Sequence, residues 1–308
     1  MGRRAKKHLS TAVALVAALV PTAVVIGVVV SLLSASDFHN LGWAFFGSKW
    51  NSNTQTYGVA IFVVGSFLTA IPALVLSMLV GLGIAIASTS YLPRWITRII
   101  DPCVDFLAGI PSIIYGLWGY LLLAPIFGTL ISPWVVQHLG FIPGFSAPSY
   151  VYVGGVGLPL SIVVLTLMSL PITTLLIRDA LRSVPRDLVE SGLALGATRW
   201  ETVRRISMRH GSRGIWSAAF LGFGRAFGET VAVAMVLGAA TAYPTTVFSQ
   251  TDTMAAFMFD NLDGALSTPG ELQALAELAI LLLAITLVVN VVGRRFVSAL
   301  YTQEVAGL

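Results

Sequence analysis

The feature that most constrains this chain is a long interval without charge. From Phe106 to Ile177 the sequence contains no Asp, Glu, Lys or Arg. Soluble domains carry about a quarter of their residues as charged side chains, whereas this chain of 308 residues is 10% charged and 56% hydrophobic, with a mean hydropathy of +0.86. An ordinary soluble globule is therefore excluded, and the composition predicts an all-α polytopic membrane protein.

Six segments are apolar over about 20 residues, the length that crosses a bilayer as a helix. The sequence therefore predicts six transmembrane helices. The second is longer than a straight span needs, so we expect it to tilt, protrude or bend at Pro72. The first could instead be a signal peptide, because basic residues precede it and small residues follow it. The expected spans are Thr11–Leu33, Gly58–Ser88, Phe106–Leu130, Leu158–Ile177, Ile215–Ala242 and Leu272–Val292.

Basic residues fall on one side of this arrangement. Of the 18 Lys and Arg residues, all but two lie at the N-terminus, between the second and third spans, in segment 178–213 or after the last span. The positive-inside rule then predicts that both termini and segment 178–213 are cytoplasmic. We expect residues 1–57 to form the N-terminus, first helix and outer loop, and residues 58–308 to form a five-helix core with a cytoplasmic hairpin at 183–214.

Helix start and stop signals are clear in the hairpin. Ser183 is expected to cap its first helix, and Gly196 to end that helix. The sequence Thr198-Arg-Trp-Glu201 matches a capping box, which predicts a second helix through Ile206. Such a hairpin could lie on anionic lipid through its basic residues or dock against another protein through its apolar ones. Those apolar residues are Leu188, Leu193, Leu195 and Trp200.

Two charged residues, Arg225 and Glu229, lie within the fifth expected span. An arginine at the bilayer centre costs about 2.5–3.5 kcal/mol on insertion scales, so it should be paired or face water. The i, i+4 spacing places both residues on one face of a continuous helix. They could form a structural ion pair, or Arg225 could offer its donor fork to an oxyanion while Glu229 holds or releases it.

The third expected span contains the sequence Gly109-Ile-Pro-Ser-Ile-Ile-Tyr-Gly116. Pro111 removes a backbone hydrogen bond, so a helix break here could expose N–H groups and the Ser112 hydroxyl to an anion. A simple kink is the alternative. Pro171 in the fourth span, with hydroxyl residues beside it, repeats this pattern more weakly.

Signals for chemistry carried out by this chain alone are missing from the sequence. It contains no P-loop motif, so any ATP hydrolysis must occur on another polypeptide. Four separated histidines and the single Cys103 match no metal-ligand spacing, and Glu229 has no second catalytic group in the membrane. We expect no catalytic residue, no metal, no cofactor bound by this chain and no nucleic acid partner.

Three strings carry a resemblance to a known family, in the family's order. Segment 190–196, Glu-Ser-Gly-Leu-Ala-Leu-Gly, resembles the EAA loop of ABC-importer permeases, with Ser191 and Gly192 in place of the two alanines. The later Leu-Pro of that motif is replaced by Met208-Arg209. Segments GIPSIIYGLWG (109–119) and GRAFGETVAVAMV (224–236) resemble the phosphate-specific transport permeases, the PstC type more than the PstA type.

This resemblance implies a MetI-like type I ABC importer permease that moves phosphate. It implies a PstA-like permease, two PstB-like ATPase subunits using ATP and Mg²⁺, and a PstS-like phosphate-binding protein as partners. Other oxyanions (sulfate, molybdate or phosphonate) and a passive anion channel remain alternatives. The residues implied for the substrate path are Arg225, Glu229, Thr230, Ser112 and Tyr115. Those implied for ATPase coupling are Glu190, Gly192, Gly196, Ala197 and Thr198.

Overall fold

The structure, a computed structural model, describes residues 3–36, 45, 47–146 and 154–306. These ranges are almost entirely helical, which confirms the all-α expectation. The helices are α1 (Arg3–Ala35), α2 (Ala60–Tyr91), α3 (Arg94–Ala108), α4 (Ser112–Leu139), α5 (Leu158–Arg182), α6 (Arg186–Ala194), α7 (199–210), α8 (Ser212–Phe227), α9 (Val231–Leu237), α10 (Met254–Ala265) and α11 (Pro269–Ala306). Two short strands, β1 (Trp50–Asn51) and β2 (Thr56–Tyr57), pair antiparallel with Trp50 opposite Tyr57.

Four helices of the described chain are long and apolar enough to cross a membrane: α2, α4, α5 and α11. The bent pair of α8 and α9 makes a fifth if it is one span. In α1, the segment Leu19–Ala35 is a shorter apolar helix. The polytopic membrane class is thus confirmed, while the count of six spans and the division at residues 57 and 58 stay predictions. Helix α2 continues through Pro72.

Helix α5 lies at the centre of the packing. It packs against α2, α3, α4, α8 and α9, and 56% of its apolar window is buried, against 22–33% in the other three long spans. A second group of contacts joins α11 to α1, α8 and α10. Aromatic side chains close the packing near β1, where the rings of Phe62 and Phe257 stack with centroids 3.9 Å apart.

The third expected span was placed wrongly at its start. The span begins at Ser112, and the preceding residues form the separate amphipathic helix α3. Pro111 lies between them with an extended ψ of 141° and no N–H to continue the helix. Phe106, which we expected to begin the span, lies near the end of α3 and is 73% exposed.

The fifth expected span is also not a single helix. Helix α8 ends at Phe227, the chain is non-helical at 228–230, and α9 continues at an angle of 63°. Helix α9 ends at Leu237 rather than at Ala242, because Gly238 adopts a left-handed φ of +99° that terminates the helix.

Candidate functional site

The break between α8 and α9 determines where Glu229 points. Its Oε1 accepts a hydrogen bond from the Ala232 backbone N–H at 3.4 Å, so its carboxylate lies at the first turn of α9. A negative charge is favourable there because it satisfies an unpaired N–H and the helix dipole. Thr230, the N-cap residue of α9, donates its hydroxyl to the Gly228 carbonyl at 3.4 Å. Glu229 thus stabilises the start of α9, whereas the Thr230 side chain makes no capping hydrogen bond to that helix.

Arg225 lies in the last turn of α8 and is not paired with Glu229. Every ion pair seen within the described ranges is formed by other residues, so of the two alternatives for Arg225 and Glu229 the structural ion pair is absent in this conformation. The i, i+4 argument fails because the helix stops at Phe227, before Glu229. The Arg225 Nε is buried and has no hydrogen-bond partner. Its guanidinium therefore keeps a donor available inside the protein.

The chain break before α4 brings Tyr115 towards the same region. The Tyr115 hydroxyl donates to the Leu107 carbonyl at 3.0 Å, which holds the end of α3 against the start of α4. The charge of Arg225 acts on this tyrosine, so the two lie within electrostatic range. Ser112 is the first residue of α4, one turn before Tyr115. Of the two alternatives at Pro111, the structure shows a break between two helices rather than a kink within one.

Close helix packing connects these two breaks. A Cβ on Gly116 of α4 would lie 2.8 Å from the Cα of Ala232 in α9, so only glycine permits this approach. The starts of α4 and of α9 are thereby held together. The structure brings Tyr115 and Arg225 within electrostatic range, and it places Glu229 and Thr230 in the adjoining break.

Helix α5 also carries buried hydroxyl side chains, Ser169 and Thr173. The Ser169 hydroxyl is buried and has no hydrogen-bond partner, one turn away from Thr173. Thr173 donates its hydroxyl within α5 to the Ser169 carbonyl at 3.1 Å and lies 3.4 Å from the Ser77 carbonyl of α2. Thr173 therefore serves helix packing, whereas Ser169 keeps a hydroxyl available beside Pro171.

The hairpin of α6 and α7 has the expected capping box. The Thr198 Oγ1 accepts from the Glu201 N–H at 3.3 Å, and Glu201 Oε2 accepts from the Thr198 N–H at 2.9 Å. Hydrogen bonds from the backbone and hydroxyl of Thr198 hold the pKa of Glu201 below its usual value. The expected cap at Ser183 is wrong: Ser183 ends α5, its hydroxyl donates to the Ala180 carbonyl, and α6 begins after Pro185.

Small residues set the shape of the hairpin turn. Gly196 has a left-handed φ of +87°, and the Ala197 N–H donates to the Gly192 carbonyl at 3.1 Å. Gly192 is buried, and a Cβ there would lie 2.5 Å from the Cδ1 of Ile206, so the two helices pack directly at this point. Leu195, at the tip of the hairpin, is 89% exposed.

The candidate coupling residues face two environments. Glu190 lines a cavity of about 770 Å³ between the hairpin and the ends of α2, α3 and α5, where Arg182, Arg186 and Arg199 also lie. The four apolar residues that we expected to contact a partner are all exposed. The hairpin thus forms one wall of this cavity, which Leu193 also lines, and its apolar side chains are accessible.

Sequence reasoning missed an ion-pair cluster next to the hairpin. The buried guanidinium of Arg178 contacts Asp101 at 3.0 Å and Asp105 at 2.8 Å, and Arg182 also contacts Asp101. The carboxylates belong to α3 and the arginines to α5. A signal was present, because each pair has i, i+4 spacing and so lies on one helix face.

A second missed group is Asp252, in the loop before α10. It is buried, its Oδ1 accepts from the Thr253 N–H at 2.8 Å, and its Oδ2 has no hydrogen-bond partner. Burial raises the pKa of Asp252 to about 7. No pattern in the sequence marks this aspartate. Within the described ranges no three His, Cys, Asp or Glu side chains converge as metal ligands do.

Comparison with known proteins places this geometry in a family. Residues 77–301 match the model of the binding-protein-dependent transport system inner membrane component. The chain is 33% identical over 306 residues to a phosphate transport system permease protein PstC of Pasteurella multocida, covering 98% of this chain and 92% of that one. A PstC of Mesorhizobium japonicum is 35% identical, covering 87% and 83%.

Solved structures share the fold. An alginate ABC transporter in complex with its pentasaccharide-bound periplasmic protein has a TM-score of 0.58 at 16% identity, covering 94% of this chain and 97% of that one. An inward-facing MetNI methionine ABC transporter has a TM-score of 0.57 at 17% identity, covering 79% and 95%. The chain belongs to the family of binding-protein-dependent transport system inner membrane components.

Proposed function

We propose that this chain is the PstC-type permease subunit of an ATP-driven phosphate importer. The observation that carries the proposal is the similarity to PstC proteins over nearly the whole chain. Arg225 supports it, because a guanidinium with a buried, unpartnered Nε suits an oxyanion that carries one to two negative charges.

The proposed complex contains partners that supply what this chain lacks. A PstA-like permease would complete the path, two PstB-like ATPase subunits would bind ATP and Mg²⁺, and a PstS-like protein would deliver phosphate from outside. The hairpin around Glu190 and Gly196 would dock on an ATPase subunit, with Thr198 and Ala197 shaping its turn. The chain would lie in the inner membrane with both termini in the cytoplasm, as its arginine distribution predicts.

Energetics favour coupled transport over a passive anion channel. Each negative charge that moves into an electrically negative cell costs about 2.3 kcal/mol per 100 mV. Through a passive pore, the membrane potential would therefore drive phosphate out of the cell rather than let it accumulate. In the proposed cycle the ATPases move the hairpins, and Arg225 engages the anion while Glu229 stays on α9. A permease for sulfate, molybdate or phosphonate would share this mechanism.

The test is uptake of labelled phosphate and labelled sulfate by cells that carry the intact complex or the Arg225→Gln variant. We expect phosphate uptake to fall about 10- to 100-fold, the loss of one charge-assisted hydrogen-bond donor set in a buried site. Arg98→Gln, which removes an exposed arginine from α3, is the matched control and should transport normally.

Membrane abundance and co-purification of the ATPase decide how the result is interpreted. Lost uptake with an intact complex places Arg225 in the path, and an Arg225→Lys variant should then recover part of the rate. Unchanged phosphate uptake would contradict the proposed role of Arg225. Uptake of sulfate but not phosphate by the intact complex would instead favour the oxyanion alternative.

A further inference from the structure

A groove separate from the proposed path lies between α8 and α11. Its volume is about 930 Å³. It is formed where the first half of α8 runs beside the part of α11 that precedes residue 300. Among its lining residues are Arg213, Ser217 and Leu221 from α8, and Asn290, Arg294 and Arg295 from α11.

The groove combines two chemistries. Three guanidinium groups line it, and Phe220, Leu221 and Val297 supply apolar walls. Arg294 and Arg295 are exposed, and neither forms an ion pair with a described carboxylate. Such a lining pairs positive charge with apolar surface, which matches a ligand that has an anionic head and an apolar tail.

The position of the groove identifies the source of that ligand. Along α11 the exposed residues Val288, Val291 and Val292 are followed at once by Arg294 and Arg295. An apolar helix surface that changes to arginine marks the boundary between hydrocarbon and headgroups. A lipid at this boundary would place its phosphate among the arginines and its acyl chains along the apolar walls.

The floor of the groove is held closed by close helix packing. A Cβ on Gly293 would lie 2.6 Å from the ring of Phe220, so α8 and α11 touch there. The ring of Phe296 also packs on Trp216 with centroids 5.2 Å apart. The groove is therefore a formed surface of two packed helices.

From these observations we infer that the groove binds an anionic phospholipid. Arg213 follows within three residues of His210, the last residue of the hairpin helix α7, so the bound headgroup ties the end of the hairpin to the membrane surface. Anionic lipid thus contributes to holding the proposed coupling element in place. The inference does not depend on which anion the permease carries.

The test is native mass spectrometry of the delipidated full-length chain, titrated with phosphatidylglycerol or with phosphatidylcholine. We expect phosphatidylglycerol to be retained preferentially. The Arg294→Gln/Arg295→Gln variant should bind it about 30-fold more weakly, since each basic residue near an anionic membrane contributes a factor of about five. Arg204→Gln/Arg205→Gln removes two exposed arginines outside the groove and should retain the lipid.

A second variant separates the groove from charge alone. Ser217→Trp fills the groove and keeps all three arginines, and we expect it to lose the lipid as well. Equal retention of both lipids by the unmodified chain would overturn the inference, whatever the variants do. Retention by both groove variants would overturn it too, as would inorganic phosphate displacing the lipid at equal concentration, because the acyl chains would then contribute nothing.

Discussion

At the scale of single residues, the hairpin shows how a small side chain sets a helix–helix distance. Gly192 faces Ile206 across the hairpin, and the nearest atom to a Cβ there is the far end of the isoleucine side chain. A terminal methyl can rotate away from one added carbon, but the two helices must separate to admit a larger group. The contact therefore tolerates alanine and excludes large residues.

Replacing Gly192 tests this contact. Gly192→Ala should keep ATP-driven uptake, because only the Ile206 side chain needs to move. Gly192→Leu should destabilise the hairpin by about 1–3 kcal/mol and abolish coupling. Uptake and co-purification of the ATPase would be measured for both variants, with Gly192→Leu/Ile206→Ala expected to recover part of each. Normal uptake by Gly192→Leu would show that the close approach is not needed.

Asp252 gives the stability of the protein a pH dependence with a definite sign. Its pKa is about 7 when folded, against 3.8 for an exposed aspartate, so the folded chain binds its proton more tightly than the unfolded chain. The stabilising contribution is therefore complete below about pH 4, falls as the pH rises to about 7, and is lost above that. The full change is roughly 4 kcal/mol.

Asp252→Asn should remove this dependence, because the amide cannot ionise. We expect the midpoint of thermal unfolding of the purified chain to fall from pH 5 to pH 8 in the unmodified protein and to change less in the variant. Asp263→Asn, at an exposed position of α10, is the control and should behave like the unmodified chain. An identical slope for Asp252→Asn would assign the pH effect to other groups.

At the scale of elements, α3 is joined to α5 by charge. Arg178 forms ion pairs with Asp101 and Asp105 of α3. It lies four residues before the end of α5, where the chain enters the hairpin. A buried arginine that loses its carboxylates, or carboxylates that lose their arginine, leave an uncompensated charge. The cluster therefore fixes the amphipathic helix α3 beside the root of the hairpin.

Arg178 and Arg182 provide a matched pair for testing this joint. Arg178→Gln should lower the free energy of unfolding by about 3 kcal/mol, because Arg178 is buried. Arg182→Gln should cost about 1 kcal/mol or less, since Arg182 is half exposed. Unfolding of the purified protein by denaturant measures both. Equal effects of the two substitutions would show that burial does not set the strength of the joint.

At the scale of the whole molecule, burial is uneven. The long helices α2, α4 and α11 leave most of their apolar surface exposed in the isolated chain, whereas α5 is largely covered. In water this distribution would be unfavourable, but lipid covers apolar surface without cost. The central helix α5 is therefore buried by the chain itself, whereas the outer helices depend on the membrane to cover their apolar surface.

The single cysteine tests the orientation of the subunit. Cys103 is exposed on α3, on the side that the arginines predict to be cytoplasmic. A membrane-impermeant maleimide should label it in inverted vesicles and not in intact cells. Thr54→Cys in a Cys103→Ser background lies in the turn between β1 and β2 and should show the opposite pattern. Labelling of Cys103 in intact cells would reverse the predicted topology.

The sequence by itself determined the membrane class, the positions of the second, fourth and sixth expected spans, the capping box at Thr198 and the turn at Gly196. These features depend on local hydropathy and on hydrogen bonds between residues a few positions apart, so a single stretch of chain contains their whole cause.

Only the tertiary structure decided how the charges are arranged. Glu229 does not pair with Arg225 because α8 ends at Phe227 between them, and the Glu229 carboxylate bonds instead to the first turn of α9, which packs against Gly116 of α4. Arg178 finds its carboxylates on a helix about 70 residues earlier in the chain. Contacts between distant segments depend on how the helices pack against one another. The spacing of residues within one helix shows which of them share a face, but not which other helix will contact that face.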